Sequence, residues 1–307
     1  MGNDTQSPLF SYESGVISAA LTRGARVLLQ DAAFTLEPGE RLAVIGETGS
    51  GKTMLALSVL GLLPANVRMQ NGRVQLEGRT LSARQTQALR GDSIVYIPQN
   101  GAEFLCPTRT VRAQLYDSLK KLGTPRKALP LLAAEKLRLA GFAQPESVLD
   151  QYPFQLSGGM AQRVTIALAA CSRAKLILAD EPTNGLDAAG RTQFFSLLHT
   201  LFPDAAKLII THDISVAALC GRVAVLCRGR MLEAGASARV LCRPRHPYTR
   251  SLLAAQVESG MRPSPVLRAE AGACPFYSRC PEADDACVHA APRHHADDRT
   301  EWWCCHD

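Results

Sequence analysis

The segment GETGSGKT, at residues 46–53, has the residue types and the spacing of a phosphate-binding loop. Its glycines let backbone N–H groups curl around the phosphates of a nucleotide, and the N-terminus of the following helix adds positive potential. Lys52 is suited to bind phosphate oxygens, and the Thr53 hydroxyl is suited to bind Mg²⁺. The loop predicts a nucleotide site formed by Gly46, Glu47, Thr48, Gly49, Ser50, Gly51, Lys52 and Thr53.

Polar side chains end three of the apolar runs that predict buried strands. Asp180 and Glu181 end LILADE, where the first carboxylate can hold Mg²⁺ through water and the second can polarise an attacking water. Gln99 ends SIVYIPQ and can ligate Mg²⁺ or position water, and His212 lies in KLIITHD. Because the carboxyl ends of neighbouring parallel strands face the same ligand, we expect His212 to point at the γ-phosphate.

A second glycine-containing segment, LSGGMAQRV, occupies residues 156–164 and runs into a predicted helix at Met160–Ala170. Ser157 and the N–H groups of Gly158 and Gly159, at the start of that helix, form another place that attracts anions. The phosphate loop and the strand-end residues alone are compatible with a kinase or a GTPase. LSGGMAQRV excludes most proteins of those two classes.

The elements that position these residues alternate between short apolar runs and amphipathic segments. Buried strands are predicted at residues 41–46, 93–99, 175–180 and 207–213, and helices at 52–63, at 189–201 and within 111–148. GRVQLEG, at residues 72–78, alternates as an antiparallel strand does, and RVAVLCRGR with MLEAG predicts a closing hairpin. Residues 261–273 read as a linker. The pattern predicts an α/β core with a helical insertion and a small C-terminal module.

Composition limits the class of protein. The 307 residues suffice for one large α/β core and an appendage, and 46% hydrophobic with 20% charged residues excludes a disordered chain. The net charge of +6 suits a nucleotide-binding enzyme, a protein near anionic lipid or a nucleic-acid binder, and so decides little. We expect no membrane-spanning segment and no signal peptide, and therefore a cytosolic protein.

Together these motifs resemble those of the ATP-binding subunits of ABC (ATP-binding cassette) systems, from about residue 25 to residue 255 and through the tail. The resemblance implies a Walker A loop at Gly46–Thr53, a Q-loop at Gln99 and a Walker B motif at Asp180, with Glu181 as catalytic base. It further implies a D-loop at Asp187, a switch histidine at His212, and a signature formed by Leu156, Ser157, Gly158, Gly159 and Gln162.

The resemblance also implies the architecture. We expect an α/β fold with a RecA-like P-loop NTPase core, an antiparallel β subdomain and a helical insertion, followed by a small Cys-rich C-terminal module. The ATPase domain should span residues 1–235, with a helical subdomain at about 100–165, and the C-terminal extension residues 236–307.

A dimer would explain the second glycine segment. In the family, two cassettes pack head to tail, so that each signature binds the ATP held by the other Walker A loop. ATP then closes the dimer and hydrolysis reopens it. The implied partners are a second ATP-binding subunit (heterodimer or homodimer), two transmembrane permease subunits and an extracytoplasmic substrate-binding protein. The chain would lie peripherally on the cytoplasmic face of the membrane and bind no nucleic acid.

HPYTRSLL, at residues 246–253, resembles the peptide and nickel importer branch of the family, and so does YPFQLSGGM before the signature. This implies ATP hydrolysis that powers import of di- or oligopeptides, with nickel or a metal chelate as the alternative cargo. A soluble cassette protein acting on nucleic acid is the competing class. Such proteins usually carry two cassettes or long insertions, and this chain has neither.

Five of the ten cysteines lie in the last 34 residues, where a reducing compartment disfavours disulfides. In resembling subunits, Cys274, Cys280, Cys287 and Cys305 (Cys304 as the alternative) can hold a [4Fe–4S] cluster, which needs four thiolates. A Zn²⁺ site with nearby histidines and unligated thiols stay open as alternatives. The scattered cysteines are expected to be small buried hydrophobic residues: Cys106, Cys171, Cys220, Cys227 and Cys242.

Two departures from the family pattern concern contacts of the site. The family stacks an aromatic residue on adenine from a position upstream of Walker A, and VISAALTRGARVLLQ has none. Phe10 and Tyr12, further upstream, are the available aromatic residues. After Gln99, the family often has Asn-Pro where this chain has Asn100-Gly101, so the loop to Phe104 is expected to be specific to its permease partner.

Overall fold

The computed structural model describes residues 7–22, 24–184, 186–256, 266–268 and 273–306. Contacts divide the chain into two units, the first formed by residues 1–36, 41–83 and 209–307 and the second by 37–40 and 84–208. Helix α2 (Ala83–Leu89) and strand β11 (Ala206–Ile210) each cross a boundary between the units.

The first unit is rich in strands and carries the phosphate loop. Its strands are β1 (Phe10–Glu13), β2 (Val16–Ala20), β3 (Ala25–Gln30), β4 (Ala33–Leu36), β5 (Arg41–Ile45), β6 (Val67–Gln70), β7 (Arg73–Leu76), β8 (Arg79–Thr80), β12 (Arg222–Cys227), β13 (Arg230–Ala236), β14 (Arg293–Ala296) and β15 (Thr300–Cys304). Its helices are α1 (Lys52–Val59), α9 (Ile214–Ala218), α10 (Ser237–Cys242), α11 (Pro247–Ala254) and α12 (Ala286–His289).

Sequence pattern determines which strands of this unit are buried. β5 pairs in parallel with β12, and both are apolar almost throughout, as strands covered on both faces must be. β13 and β15 continue from β12 as antiparallel neighbours, and β14 closes that edge. β7 alternates between buried and exposed residues and pairs antiparallel with β1, in the four-stranded order β4-β1-β7-β8. The strands β3, β2 and β6 form a further antiparallel sheet.

The second unit is mostly helical. It contains β9 (Ile94–Ile97) and β10 (Leu176–Asp180), which are parallel neighbours, with Ile94 opposite Leu176. Its helices are α3 (Gly101–Phe104), α4 (Val111–Lys121), α5 (Leu129–Leu139), α6 (Pro145–Leu149), α7 (Gly158–Ala169) and α8 (Ala188–Leu201). Val111, Leu115 and Leu119 recur every four residues on α4, so they fall on one face and join the core of this unit.

Most of the predicted elements are confirmed, with shifted ends. The predicted strands correspond to β5, β9, β10 and β11, and the closing hairpin is β12 with β13. The signature helix begins at Gly158, not at Met160, because the Ser157 side chain caps it by accepting a hydrogen bond from the Met160 N–H at 3.3 Å. The strands β14 and β15 in the cysteine-rich tail were not predicted.

The prediction for the scattered cysteines is partly wrong. Cys171, Cys220 and Cys227 are buried as expected, whereas Cys106 and Cys242 are exposed. Cys106 follows the short helix α3 in an exposed turn, and Cys242 is the last residue of α10. Apolar neighbours in the sequence therefore did not predict whether Cys106 and Cys242 are buried.

Candidate functional site

The phosphate loop connects β5 to α1 in the first unit, as the sequence predicts. A Cβ atom on Gly46 would lie 2.2 Å from the carbonyl oxygen of Leu226, so only glycine allows this approach between loop and β12. The Lys52 ammonium donates hydrogen bonds to the carbonyl oxygens of Gly46 at 2.7 Å and Glu47 at 3.0 Å. Lys52 is thus held over the loop whose N–H groups and helix N-terminus attract an anion.

A cavity of about 730 Å³ opens beside the phosphate loop within the same unit. Three arginines contribute to its lining: Arg26 from β3, Arg228 from the turn after β12, and Arg279. Loop residues Glu47–Ser50 form another part of the wall. The cavity therefore combines a phosphate loop with cationic side chains, which suits a polyanionic ligand.

The upstream aromatic residues do not line this cavity. Phe10 and Tyr12 are fully buried, and the Tyr12 ring packs against Phe34 with centroids 5.2 Å apart. The hydroxyl groups of Tyr12 and Ser58 share a hydrogen bond of 2.6 Å. Both upstream aromatic residues thus belong to the core, and Arg26, Val27 and Leu28 are the residues of that part of the chain that line the cavity.

Two residues of the C-terminal region contact the phosphate loop, and sequence reasoning assigned neither a role. The backbone N–H of Glu47 donates to the Tyr248 hydroxyl at 3.1 Å. The Arg279 guanidinium donates two hydrogen bonds, at 2.9 and 2.7 Å, to the two carboxylate oxygens of Glu47. Tyr248 lies in the HPYT motif, which served only to identify a branch of the family, and no local pattern marks Arg279.

Asp180 ends β10 in the second unit and lies beside a tyrosine that the sequence did not single out. The Tyr96 hydroxyl, on the neighbouring strand β9, donates to Asp180 Oδ2 at 3.5 Å. Burial raises the pKa of Tyr96 to about 12, and the negative charge of Asp180 adds to the rise, so the phenol stays protonated as a donor. Glu181 has a left-handed backbone with φ of 45°, an uncommon conformation for a residue with a side chain.

The structure brings Gln99 and the signature residues to one cavity of about 590 Å³ in the second unit. Gly158, Gly159 and Gln162 line it from α7, and the Gln162 side chain donates to the Pro182 carbonyl at 3.1 Å. Apart from the backbone of α7 itself, no atom of the described residues would lie within 4 Å of a Cβ on either glycine, so the start of α7 is open. Leu156, by contrast, is partly buried and packs against the helical core.

Close packing explains the glycine at position 101, in the loop that departs from the family pattern. A Cβ on Gly101 would lie 2.9 Å from backbone atoms of Ala161 and Gln162, so α3 could not sit this close to α7. The Asn100 side chain caps α3 by accepting from the Ala102 N–H at 3.1 Å. Phe104, which ends the helix, is half-exposed.

Asp187 and His212 occupy helix boundaries. Asp187 caps α8 by accepting a hydrogen bond from the Gly190 N–H at 2.8 Å. His212 is exposed and follows β11, immediately before Asp213, which caps α9. His212 thus lies in the short connection between the end of a strand and the start of the next helix, which is where an α/β fold places residues that face a ligand.

The five C-terminal cysteines converge in the first unit. Cys274, Cys280, Cys287 and Cys304 are buried, and Cys305 is partly exposed. Burial raises the pKa values of Cys274 and Cys280 to about 11, and the neighbouring thiols add to the rise. Cys287 also lies 3.3 Å from His306 Nε2, and among the described residues Asp284, Cys287 and His306 bring three ligand atoms within 4.8 Å of one another.

Comparison with known proteins identifies two family regions in the chain. Residues 29–184 match the ABC transporter family, and residues 232–287 match the C-terminal region of oligopeptide and dipeptide transporters. The first match contains the phosphate loop, Gln99, the signature and Asp180. The second contains Tyr248, Arg279 and three of the five cysteines.

Individual proteins resemble the chain over most of its length. It is 34% identical to the dipeptide transport ATP-binding protein DppD of Bacillus subtilis, with 92% of this chain and 90% of the relative covered. It is 36% identical to the nickel import ATP-binding protein NikD of Rhodospirillum rubrum, with 79% and 93% covered.

A solved dimeric ATP-binding cassette in a post-hydrolysis state, bound to ADP and phosphate, shows the fold. Its TM-score is 0.65 at 24% identity, with 74% of this chain and 98% of the cassette covered. The expectation of an α/β P-loop NTPase is thereby confirmed. In the described part of the chain, every helix is too short or too polar to cross a bilayer. On its sequence matches and its fold, the chain belongs to the ABC transporter family of ATP-binding proteins.

Proposed function

We propose that the chain is the ATP-hydrolysing subunit of an importer for di- or oligopeptides. One observation carries the proposal: the chain joins an ABC cassette to the C-terminal region of oligopeptide and dipeptide transporters. A relative with dipeptide transport in its name matches over nine-tenths of the chain. The cassette implies that ATP and Mg²⁺ are bound, and the C-terminal region favours peptide cargo.

The residue types of these motifs suit the hydrolysis of ATP. Lys52 and the loop N–H groups would hold the β- and γ-phosphates, and Thr53, Gln99 and Asp180 would bind Mg²⁺ directly or through water. Glu181 would accept a proton from a water molecule while the oxygen of that water attacks the γ-phosphorus. The bond between the γ-phosphorus and the oxygen that bridges it to the β-phosphate would break at the same time and release ADP. His212 would donate a hydrogen bond to the γ-phosphate.

The signature would act on nucleotide held by a second ATP-binding subunit, either a different chain or a second copy of this one. Ser157 and the N–H groups of Gly158 and Gly159 would contact that γ-phosphate, and Asp187 would lie beside the same interface. The open space at both glycines supports this role, because a phosphate could approach their backbone closely.

The other partners follow from the same proposal. Two permease subunits would span the membrane, and a substrate-binding protein outside it would deliver cargo to them. The chain would lie on the cytoplasmic face, with the exposed Phe104 next to a permease. Nickel or a metal chelate is the second candidate cargo, favoured by the 36% identity to a nickel import protein.

Reconstitution of the complex tests the cargo. We expect ATPase activity in liposomes to rise when the binding protein is loaded with di- or oligopeptide, and to stay basal with Ni²⁺. Stimulation by Ni²⁺ or a nickel chelate alone would overturn the peptide assignment in favour of the second candidate. Retention of the purified chain on nucleic acid, without copurifying permeases, would overturn both.

We further propose that residues 236–307 form a C-terminal module whose cysteines hold a [4Fe–4S] cluster. Four buried thiols and a fifth nearby fit a group that needs four thiolates, with either Cys304 or Cys305 as the fourth ligand. Asp284, Cys287 and His306 provide the mixed donors that Zn²⁺ accepts, and so form the alternative site. Either group would displace protons from thiols whose pKa values burial raises.

Absorbance after anaerobic purification distinguishes the two groups. We expect a band at roughly 400 nm, the region of thiolate-bound iron–sulfur clusters, and its loss in Cys274→Ser. A colourless protein with one equivalent of zinc would overturn the cluster assignment.

A further inference from the structure

Glu47 of the phosphate loop is held through three of its groups. Its carbonyl oxygen accepts from Lys52, its N–H donates to Tyr248, and its carboxylate accepts two hydrogen bonds from Arg279. Two of these three contacts come from the C-terminal region, more than 200 residues along the chain. The conformation of the loop at its second residue therefore depends on a region outside the cassette family match.

The geometry of Arg279 suits a fixed positioning contact. Its two parallel N–H···O bonds form the fork that matches a carboxylate, and the ion pair is 18% exposed on the arginine side. The guanidinium carbon lies 5.2 Å from the centre of the buried Phe276 ring, which contacts the Tyr248 ring at 5.3 Å. Phe276 thus supports both groups that contact Glu47.

The backbone around Arg279 is also fixed. Arg279 ends a 3₁₀ turn, Tyr277–Arg279, between the buried Cys274 and Cys280. The N–H of Tyr277 donates to the Cys274 carbonyl, and the N–H of Cys280 donates to the Phe276 carbonyl. The cysteine-rich segment therefore presents the guanidinium to the loop in a defined orientation.

We propose that Arg279 is a positioning residue of the nucleotide site, which holds Glu47 and with it the phosphate loop in the conformation that binds ATP. The inference rests on the proposed function, since it takes the loop to be the ATP site. Through this contact, the cysteine-rich segment sets the affinity of the cassette for nucleotide.

Calorimetric titration of the purified full-length protein with MgATP tests this role. We expect Arg279→Gln and Glu47→Gln each to weaken ATP binding about five- to tenfold, since each removes a charge-assisted pair that is partly screened by solvent. The double variant should bind no more weakly than either single variant, because both remove one interaction. In Arg279→Gln, KM for ATP should rise, while kcat at saturating ATP stays within about twofold of the wild type.

Two further variants separate positioning from charge. Arg279→Lys keeps the charge without the fork and should bind ATP as weakly as Arg279→Gln. If Arg279 acted only through its charge near the phosphates, Arg279→Lys would bind ATP as tightly as the wild type does, and Glu47→Gln would bind it more tightly. Either result would overturn the inference. Arg250→Gln is the matched control, because it breaks an exposed C-terminal ion pair with Glu282 and should bind ATP normally.

Lys52→Ala distinguishes failure of the inference from failure of the proposed function. Wild-type affinity in Arg279→Gln, together with lost binding in Lys52→Ala, would refute only the role of Arg279. Equal ATP binding by the wild type and Lys52→Ala would instead remove the ATP site on which the inference rests. A thermal melt without nucleotide identifies any variant that fails to fold. If Arg279→Gln fails to fold, Glu47→Gln tests the same ion pair by changing its other partner, on the phosphate loop.

Discussion

Burial of His246 should make the protein lose stability in mild acid. The ring is 1% exposed, its Nδ1 accepts a hydrogen bond from the Tyr248 N–H at 2.9 Å, and its Nε2 has no partner among the described residues. Burial, with a smaller contribution from the positive charge of Arg250, lowers the pKa of His246 to about 3. The folded protein therefore keeps this ring neutral at a pH where an unfolded chain would protonate it.

The size of the effect follows from that pKa and the ordinary value of about 6.5 for histidine. Between these two values the unfolded chain binds the additional proton, so stability falls as the pH falls through that window. From about pH 7.5 to about pH 5, the loss from this group amounts to roughly 2 kcal/mol. Glu233 has the opposite effect on stability as the pH falls. Because burial raises the pKa of its carboxyl, the folded protein takes up that proton more readily than the unfolded chain does.

Urea unfolding of the wild type and of His246→Asn, at both pH values, isolates the contribution of the histidine. Asparagine can cap α11 as His246 does but does not titrate. We expect the acid-induced loss in the wild type to exceed that in His246→Asn by about 2 kcal/mol. His199→Asn, at an exposed site, should behave as the wild type does. Equal pH dependence in the wild type and His246→Asn would refute a neutral buried ring.

Two further changes test the second unit. Glu181→Gln should bind ATP normally but lose turnover and transport by about 10²-fold or more, since general-base catalysis contributes at least that much; near-normal hydrolysis would exclude Glu181 as the base. Gly101→Ala should destabilise the protein by about 1–3 kcal/mol in urea unfolding, because the new methyl group meets the α7 backbone. Gly221→Ala, whose Cβ would meet its nearest atom at 3.9 Å, is the control, and an equal effect of both changes would contradict the packing argument.

Local signals in the sequence predicted much of this fold. The apolar strand β5, the glycine loop and α1 are consecutive in the chain, so one segment determines all three. The four-residue spacing of apolar residues likewise predicted the helices around α4. The exact start of α7 was missed because the cap depends on a rotamer of Ser157, which the residue type alone does not reveal.

Contacts between distant segments could not be predicted in this way. Tyr248 and Arg279 reach Glu47 across 201 and 232 residues, and neither contact leaves a periodic pattern in the sequence. The same limit applies to Phe10 and Tyr12, the aromatic residues available further upstream of the phosphate loop, which pack into the core. Only the pairing of β1 with β4 and β7 determines that these side chains face inward.

The two glycine segments differ in the charges around them, and this difference suits a division of labour. The cavity beside the phosphate loop has Arg26, Arg228 and Arg279 in its lining, with Lys52 held on the loop itself. The cavity of about 590 Å³ that Gln99 shares with the signature includes Glu103 but no lysine or arginine in its lining, over the residues that the structure describes. Arg163, the cationic residue of LSGGMAQRV, donates instead to the Gly159 carbonyl at 3.4 Å and lines a separate cavity. Backbone N–H groups alone can orient a phosphate but give much less attraction than they do beside fixed cations. The signature therefore suits a nucleotide that another loop already holds, as the proposed pair of cassettes would arrange it.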